Sequence, residues 1–339
     1  MLFLFLSIFI SLSSLDQKVI ICGVAKDVAK ALPNMIQMIE EMGGLFADYR
    51  VIVYENDSKD GSPELLAEWA KDNSKVFVRS EKLSHVDYVN FTWDHFGYRP
   101  EKIAHARNIV LDYALSDSYV DFPYLIWIDM DFEKPFSFEG IVEVFESTTP
   151  WDAVFANGVH GRKGYYFDWY PFRDKERPFG AELLSDWWWH HLPKKFRFDP
   201  KSPWYPVYSA FGGLGIYKKS SIQNCRYTAF VTPDLQAFAE KFIKENPKHP
   251  IVKTYHRHNK KLFHLLRIPA PTPNLSHIAH EKTGILLDST HTPIIWRMNS
   301  GVNQYPSTCE HVPFHASMIA HGHDKLFINP HLLLPYDSR

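Results

Sequence analysis

Between Lys18 and Ile128 the apolar and polar positions repeatedly switch period. Lys18–Gly23 (KVIICG), Tyr49–Tyr54 (YRVIVY), Lys75–Arg79 (KVFVR) and Tyr124–Ile128 (YLIWI) are short runs rich in β-branched and aromatic residues, the pattern of strands buried on both faces. Between them Asn34–Met42, Ser62–Asp72 and Pro100–Leu115 repeat at helical spacing. The first carries Met35, Ile36, Met38 and Ile39 and stops at Gly43-Gly44, and the second has Pro63 in its first turn. Strand and helix alternating at this spacing predict an α/β fold, a mostly parallel sheet flanked by helices. Ligands of such sheets bind beyond the carboxyl ends of the strands.

After about Asn157 the alternation gives way to aromatic, Pro- and Gly-rich sequence such as YYFDWYPFRDKERPFG and WWWHHLPKKFRFDP. This predicts a second, aromatic-rich lobe with short strands and loops. Pro269–Pro273 (PAPTP) reads as an extended connector. A helix is expected over Pro313–Ala320, stopped around Gly322. Residues 1–15 are apolar apart from serine and shorter than the roughly 20 needed to span a bilayer. They predict a signal peptide or short anchor, although no basic region precedes the apolar core, and a buried first element is the alternative. The expected division is 1–15, 17–157 and 158–339. The expected location is the secretory-pathway lumen or the exterior, with the cytoplasm as the alternative.

The 339 residues carry a net charge of −2 with both signs interspersed, so no general field attracts nucleic acid or an anionic membrane. Membrane association is expected to be peripheral or N-terminal at most. Aromatics reach 15%, with 10 Trp and 18 His, which suits flat or hydroxylated ligands as well as a large core. Cys22, Cys225 and Cys309 are widely spaced and odd in number, which argues against a disulfide framework or a zinc ribbon. His-Glu-x-x-His is absent, which removes that class of zinc protease.

Two polar clusters fall where strands should end: Glu55-Asn56-Asp57-Ser58-Lys59-Asp60-Gly61-Ser62 and Asp129-Met130-Asp131. In a parallel sheet both lie on one edge, the ligand edge. Asp129 and Asp131 can approach one hard cation, Mg²⁺ or Mn²⁺, which keeps positions open for water and phosphate oxygens. On the 100–115 helix, Ile103, Ala106, Val110, Leu111 and Ala114 form an apolar stripe that contains Arg107. An arginine facing the core needs a carboxylate or a phosphate, so it is either a structural bridge or a ligand contact. Asn108 borders the same face. In the second half, Ser209–Tyr217 is glycine-rich, and Gly212 and Gly213 permit close backbone approach. Glu310 and His311 precede the last helix, where ionised groups are well placed to face a site. Trp187-Trp188-Trp189 offers either a sugar-stacking platform or a packing anchor.

The series VIVYENDSKDGS, EKIAHARN and LIWIDMDF resembles the nucleotide-sugar half of GT-A glycosyltransferases. The acidic run is similar to the DDGSTDGT run of the large family-2 type, and Tyr-Glu-Asn-Asp-Ser with Ala-Arg-Asn is closer to the fungal capsule-associated mannosyltransferase type. The resemblance covers about Lys18 to Asn157. It implies a metal-dependent hexosyltransferase that moves a sugar from a UDP- or GDP-sugar to a hydroxyl of a glycan or glycoconjugate. It assigns Glu55, Asn56 and Asp57 to the donor, with Arg107 and Asp129 beside the phosphates. It makes Asp129 and Asp131 the metal-binding pair, with Mn²⁺ or Mg²⁺ as cofactor, and His311 a further ligand. Gly212 and Gly213 fall to the acceptor and Glu310 to the catalytic base, while Trp188 is the acceptor candidate only through the stacking reading of the Trp triplet. Glu55-Asn56 stands where the family-2 type usually has two aspartates, which leaves the base open between uracil and guanine. The rivals are a nucleotidyltransferase or metal phosphohydrolase, and a secreted carbohydrate-binding protein with a degenerate catalytic lobe.

Overall fold

The computed structural model describes residues 15–83, 99–160, 164–184, 186–266, 278–280, 285–287, 295–296 and 308–336. The proposed leader, apart from Leu15, and the Pro269–Pro273 connector lie outside the described residues. Among the described residues no helix is long and apolar enough to cross a membrane.

The first half alternates as its periodicity predicts, with longer strands. β1 (Leu15–Ala25), β2 (Phe46–Asn56), β3 (Val76–Glu81) and β4 (Tyr124–Asp129) are separated by α1 (Leu32–Gly43), α2 (Ser62–Asp72) and α3 (Arg99–Ala114). Then come α4 (Glu139–Glu146), β5 (Ala153–His160), β6 (Tyr165–Tyr166), α5 (Ala181–Leu184), α6 (Asp186–His190), β7 (Tyr205–Pro206) and β8 (Leu214–Lys218). Next are α7 (Pro233–Glu245), α8 (Pro250–Leu266), the short strands β9 (Ile278–His280), β10 (Ile285–Leu287) and β11 (Ile295–Trp296), α9 (His311–Ala320) and β12 (Leu326–Tyr336).

The main sheet has the order β3-β2-β1-β4-β8-β5-β12-β7, with β6 paired to β5. β1 pairs in parallel with β2 and β4, and β12 with β5. β8 runs antiparallel between β4 and β5, so those two strands point the same way. The mostly parallel sheet expected from sequence is therefore present. Residue 157, the expected division, lies within β5, and β7, β8 and β12 from the following chain belong to the same sheet.

Alternate strand residues feed two cores, as a period of two requires. On one face Val19, Ile21, Val51, Val53 and Ile126 pack on α1, α2 and α4. On the other Ile20, Cys22, Ile52, Leu125 and Trp127 pack on α3 and α9. A third cluster joins Leu183, Trp188, Leu235, Phe242, Val252 and Trp296 to the outer side of α9. Helix α9 thus supplies Phe314 and Met318 to one core and Val312 and Ala316 to another, so every residue from His311 to Met318 is buried. The expected helix starts two residues earlier than predicted, at His311, and its first turn lies inside the protein rather than on a polar surface.

Candidate active site

The carboxyl ends of β1, β2, β4, β5 and β12 and the amino end of β8 share one edge, which brings the two acidic clusters together with residues from the far end of the chain. Asp129 closes β4. Its backbone N–H donates to the Gly213 carbonyl at 2.9 Å, the Tyr336 hydroxyl donates to its Oδ2 at 3.2 Å, and Arg107 Nη2 donates to its Oδ1 at 3.3 Å. Burial raises its pKa to about 6; Arg107 opposes the rise, while Asp131 and Glu310 add to it. Asp131 is exposed.

Arg107 comes from α3 and is 3% exposed. Its stripe runs through Ala104, Ala106, Val110, Leu111 and Ala114, whereas Ile103, expected within it, is only partly buried. The guanidinium lies over the rings of Phe211, Trp127 and Tyr227 at 4.7, 5.2 and 5.7 Å. Its Nε is 3.3 Å from Glu310 Oε1. Arg107 thus bridges the end of β4 and the start of α9 through two carboxylates, Asp129 and Glu310. Asn108 is likewise structural, donating to the Tyr227 carbonyl at 2.8 Å and accepting from the Tyr227 N–H at 2.9 Å.

Glu310 is 5% exposed, receives a weak Cys309 thiol contact at 3.5 Å and lies 3.6 Å from His311 Nε2. The His311 ring stacks on Phe211 at 4.2 Å, and neither ring nitrogen makes a hydrogen bond. Burial, with Arg107 beside it, holds its pKa well below the ordinary histidine value, so the ring is neutral. Among the described residues no group of three or more His, Cys, Asp or Glu could hold a metal.

Glu55, assigned to the nucleoside, is buried at the end of β2. It is 1% exposed, one oxygen accepting the Ser58 N–H at 2.9 Å and the other the Ser80 hydroxyl, so it caps its own turn. Asn56 donates to Asp57 Oδ2 at 2.8 Å, and Asp57 Oδ1 accepts the Leu83 N–H at 3.1 Å. The loop after β1 is tied to this run reciprocally, Asp27 N–H donating to Ser58 Oγ and Lys59 N–H to Asp27 Oδ1. Asp27 and Asp57 both hold positive φ, 53° and 57°, at neighbouring strand ends.

Gly212 and Gly213 turn the chain into β8 with φ of +68° and +88°. A Cβ on Gly212 would lie 2.1 Å from the Ala156 carbonyl oxygen, so glycine is required there. The Gly212 N–H donates at 2.8 Å to Asp168 Oδ2. Burial pushes the Asp168 carboxyl up to about 7, the Gly212 N–H opposing and Asp129 and Glu310 adding. Trp188, assigned to the acceptor, is 2% exposed and covers Arg173 at 5.3 Å. The packing alternative therefore describes it, and the exposed ring of the triplet is Trp189.

No family model matches the chain, and no curated protein does. Among solved structures, the mannosyltransferase PcManGT from Pyrobaculum calidifontis, in complex with GDP-Man and Mn²⁺, aligns at a TM-score of 0.33 and 17% identity over 61% of this chain. This chain covers 46% of that structure and 50% of S. aureus TarS 1-349, about half of each. Mannosyl-3-phosphoglycerate synthase from Rubrobacter xylanophilus aligns at 0.37 and 13% identity, over 87% of this chain and 88% of the other. Glucosyl-3-phosphoglycerate synthase from Mycobacterium tuberculosis, in complex with UDP, gives 0.35 and 11%, over 84% and 88%. At such scores the residues themselves must carry the functional argument.

Two site residues escape a reading by pattern. Asp168 is a lone carboxylate in the aromatic stretch YYFDWYPF, the same polar-in-apolar signal that marks Asp129, but without a strand to phase it. Tyr336 gives no local signal at all. Together the group offers an exposed carboxylate (Asp131), a partly buried one held from three sides (Asp129), a second partly buried one beside a glycine turn (Asp168), and an internal cation, Arg107, that fixes Asp129.

Proposed function

We propose that the protein is a nucleotide-sugar-dependent glycosyltransferase, a hexosyltransferase acting on a hydroxyl acceptor. The observation that carries this reading is Asp129, held by Arg107 and Tyr336 at the end of a buried parallel strand with Asp131 exposed two residues on. Partly buried carboxylates near like charges suit a ligand that brings positive charge with it.

The residues fit a divalent cation shared with the donor. Asp129 is crowded by Asp131 and Glu310, and Mg²⁺ or Mn²⁺ needs only one or two carboxylates when phosphate oxygens and water complete its shell. Asp131, with Asp129 behind it, would hold the ion; when bound, it neutralises charge on the departing diphosphate. Arg107 keeps Asp129 oriented, and its positive charge, fixed beneath the strand end, favours the ionised carboxylate. Glu310 balances that arginine from α9, so its buried carboxylate acts as an anchor. The reciprocal ties between Asp27 and Ser58–Lys59 hold the two loops that face the nucleotide, and Asn56 and Asp57 are their partly buried members.

Loops locked to one another in advance lose little entropy when the donor binds. The apolar residues 1–15 would direct the chain to the secretory lumen or the exterior. Titrating UDP and GDP by calorimetry, with and without Mn²⁺, tests the reading for wild type and D131N. Metal-dependent binding that D131N weakens supports it, and equal affinities under all conditions overturn it.

A further inference from the structure

Beside the strand ends, the turn after β6 sets an exposed ring next to a carboxylate. Phe167 is 47% exposed, yet it is built in: its N–H donates to the Gly158 carbonyl at 2.9 Å. Its ring stacks on His160 at 5.3 Å and 25° and leans on Tyr336 at 4.9 Å. His160 closes β5 and its Nδ1 makes no hydrogen bond. Tyr336 in turn donates to Asp129, so a single ring separates Phe167 from the strand-end carboxylate. Asp168, the next residue, is fixed by the Gly212 N–H at 2.8 Å and is only partly buried. An apolar face beside an anchored carboxylate is what a pyranose requires, since its C–H face packs on a ring while its hydroxyls donate to an acceptor oxygen.

We propose that Phe167 and Asp168 form the acceptor subsite, holding a pyranose of a glycan or glycoconjugate, and that Asp168 removes the proton from its attacking hydroxyl. The inference rests on the glycosyl-transfer reading above. In the step, the acceptor oxygen forms a bond to the anomeric carbon of the donor as its O–H bond breaks and the proton passes to the Asp168 carboxylate. The anomeric carbon–phosphate oxygen bond breaks, and its electron pair leaves with the nucleoside diphosphate. A carboxyl raised to about 7 has the basicity that proton removal near neutral pH calls for. Glu310, paired with Arg107 in the interior, lacks the exposure that Asp168 has.

Two measurements on the full chain separate the parts. Saturation-transfer NMR with methyl α-mannoside, methyl β-glucoside and methyl β-galactoside reads the platform without any donor. Wild type binds at least one of them, F167A weakens it about tenfold, and F167W restores it. Binding of none, or equal binding by F167A with unchanged circular dichroism, overturns the subsite. Nucleoside diphosphate release then reads the chemistry, with the nucleotide sugar that wild type binds and the glycoside it recognises. D168N, whose amide oxygen still accepts the Gly212 N–H, should lower kcat by about 10²–10⁴ with donor affinity retained. Wild-type turnover in D168N overturns its role as base. Glycoside binding without any nucleotide binding overturns the transfer reading and the proton step with it, and leaves the Phe167 platform standing.

Discussion

The hydroxyl of Tyr336 donates to Asp129 Oδ2 at 3.2 Å, which fastens the last strand to the acidic end of β4 across 207 positions of sequence. Arg107 holds the other oxygen at 3.3 Å, so the carboxylate is fixed in the plane between a neutral donor and a cation. The geometry of this strand end therefore depends on two segments that lie on opposite sides of it in the chain.

Y336F should cost about 1.5–3 kcal/mol of stability, the range for a hydrogen bond to a charged group, and should weaken metal-dependent nucleotide binding. Urea unfolding and calorimetry measure the two. Unchanged binding would show that Asp129 needs no second anchor.

R107M removes the cation from between Asp129 and Glu310, which leaves Glu310 a buried carboxylate without its cation and Asp129 with the Tyr336 hydroxyl alone. The expected loss is about 3–5 kcal/mol in denaturant unfolding. Adding E310Q should recover part of it, because one orphaned charge is then gone, and a double-mutant cycle gives the coupling directly.

Two glycines with positive φ should respond differently to alanine. G61A has open space around the new Cβ and should cost about 1 kcal/mol through backbone conformation alone. G212A drives its Cβ to 2.1 Å from the Ala156 carbonyl and should prevent stable folding or displace the β8 turn. Thermal unfolding of the two variants side by side makes the comparison.

His315 lies between Ser209 Oγ at 2.9 Å and the Tyr217 hydroxyl at 3.0 Å, and burial with Arg107 nearby lowers its pKa to about 3. The folded protein keeps it neutral, while the unfolded chain takes up a proton below about 6.5. Its contribution is therefore fully present above 6.5 and is lost as pH falls toward 3, at about 1.4 kcal/mol per pH unit. Asp168, raised instead, acts in the opposite sense, its share being lost as pH rises through 7. The difference between wild type and H315Q isolates the histidine: wild-type minus H315Q unfolding free energy should fall by about 1.4 kcal/mol per unit as pH drops from 6.5 to 4. Parallel profiles would place His315 outside the linkage.

The sheet of the first half was legible because its strands are buried on both faces, so KVIICG, YRVIVY and YLIWI announce themselves, and Asp129 stands out at the end of an apolar run. β8 and β12 hid from the same reading. Each enters the sheet beside a strand far away in sequence, and β12 carries Pro330 and Pro335 with a register shift between Asn329 and Leu333. Arg107 showed that it needed a partner, but only packing could show that the carboxylates of Asp129 and Glu310, from distant segments, flank it. Glu55 looked like a ligand because turn-capping and ligand-binding acids occupy the same place after a strand. Trp188 and Trp189 differ by one position on a short helix, and that alone decides which ring is covered.

The strand order has a bearing on how the chain is made. During synthesis β3, β2, β1 and β4 can pair as soon as they emerge, but the neighbour of β4 is β8, some eighty-five residues later. Until Leu214–Lys218 arrives, the apolar backbone edge of YLIWID stays open, able to pair with any other chain that offers a strand. β5 waits longer still for β12. The growing polypeptide thus passes through a stage in which half a sheet is complete and its stickiest margin unguarded, and its yield on expression should depend on how quickly translation and chaperones carry it past that stage.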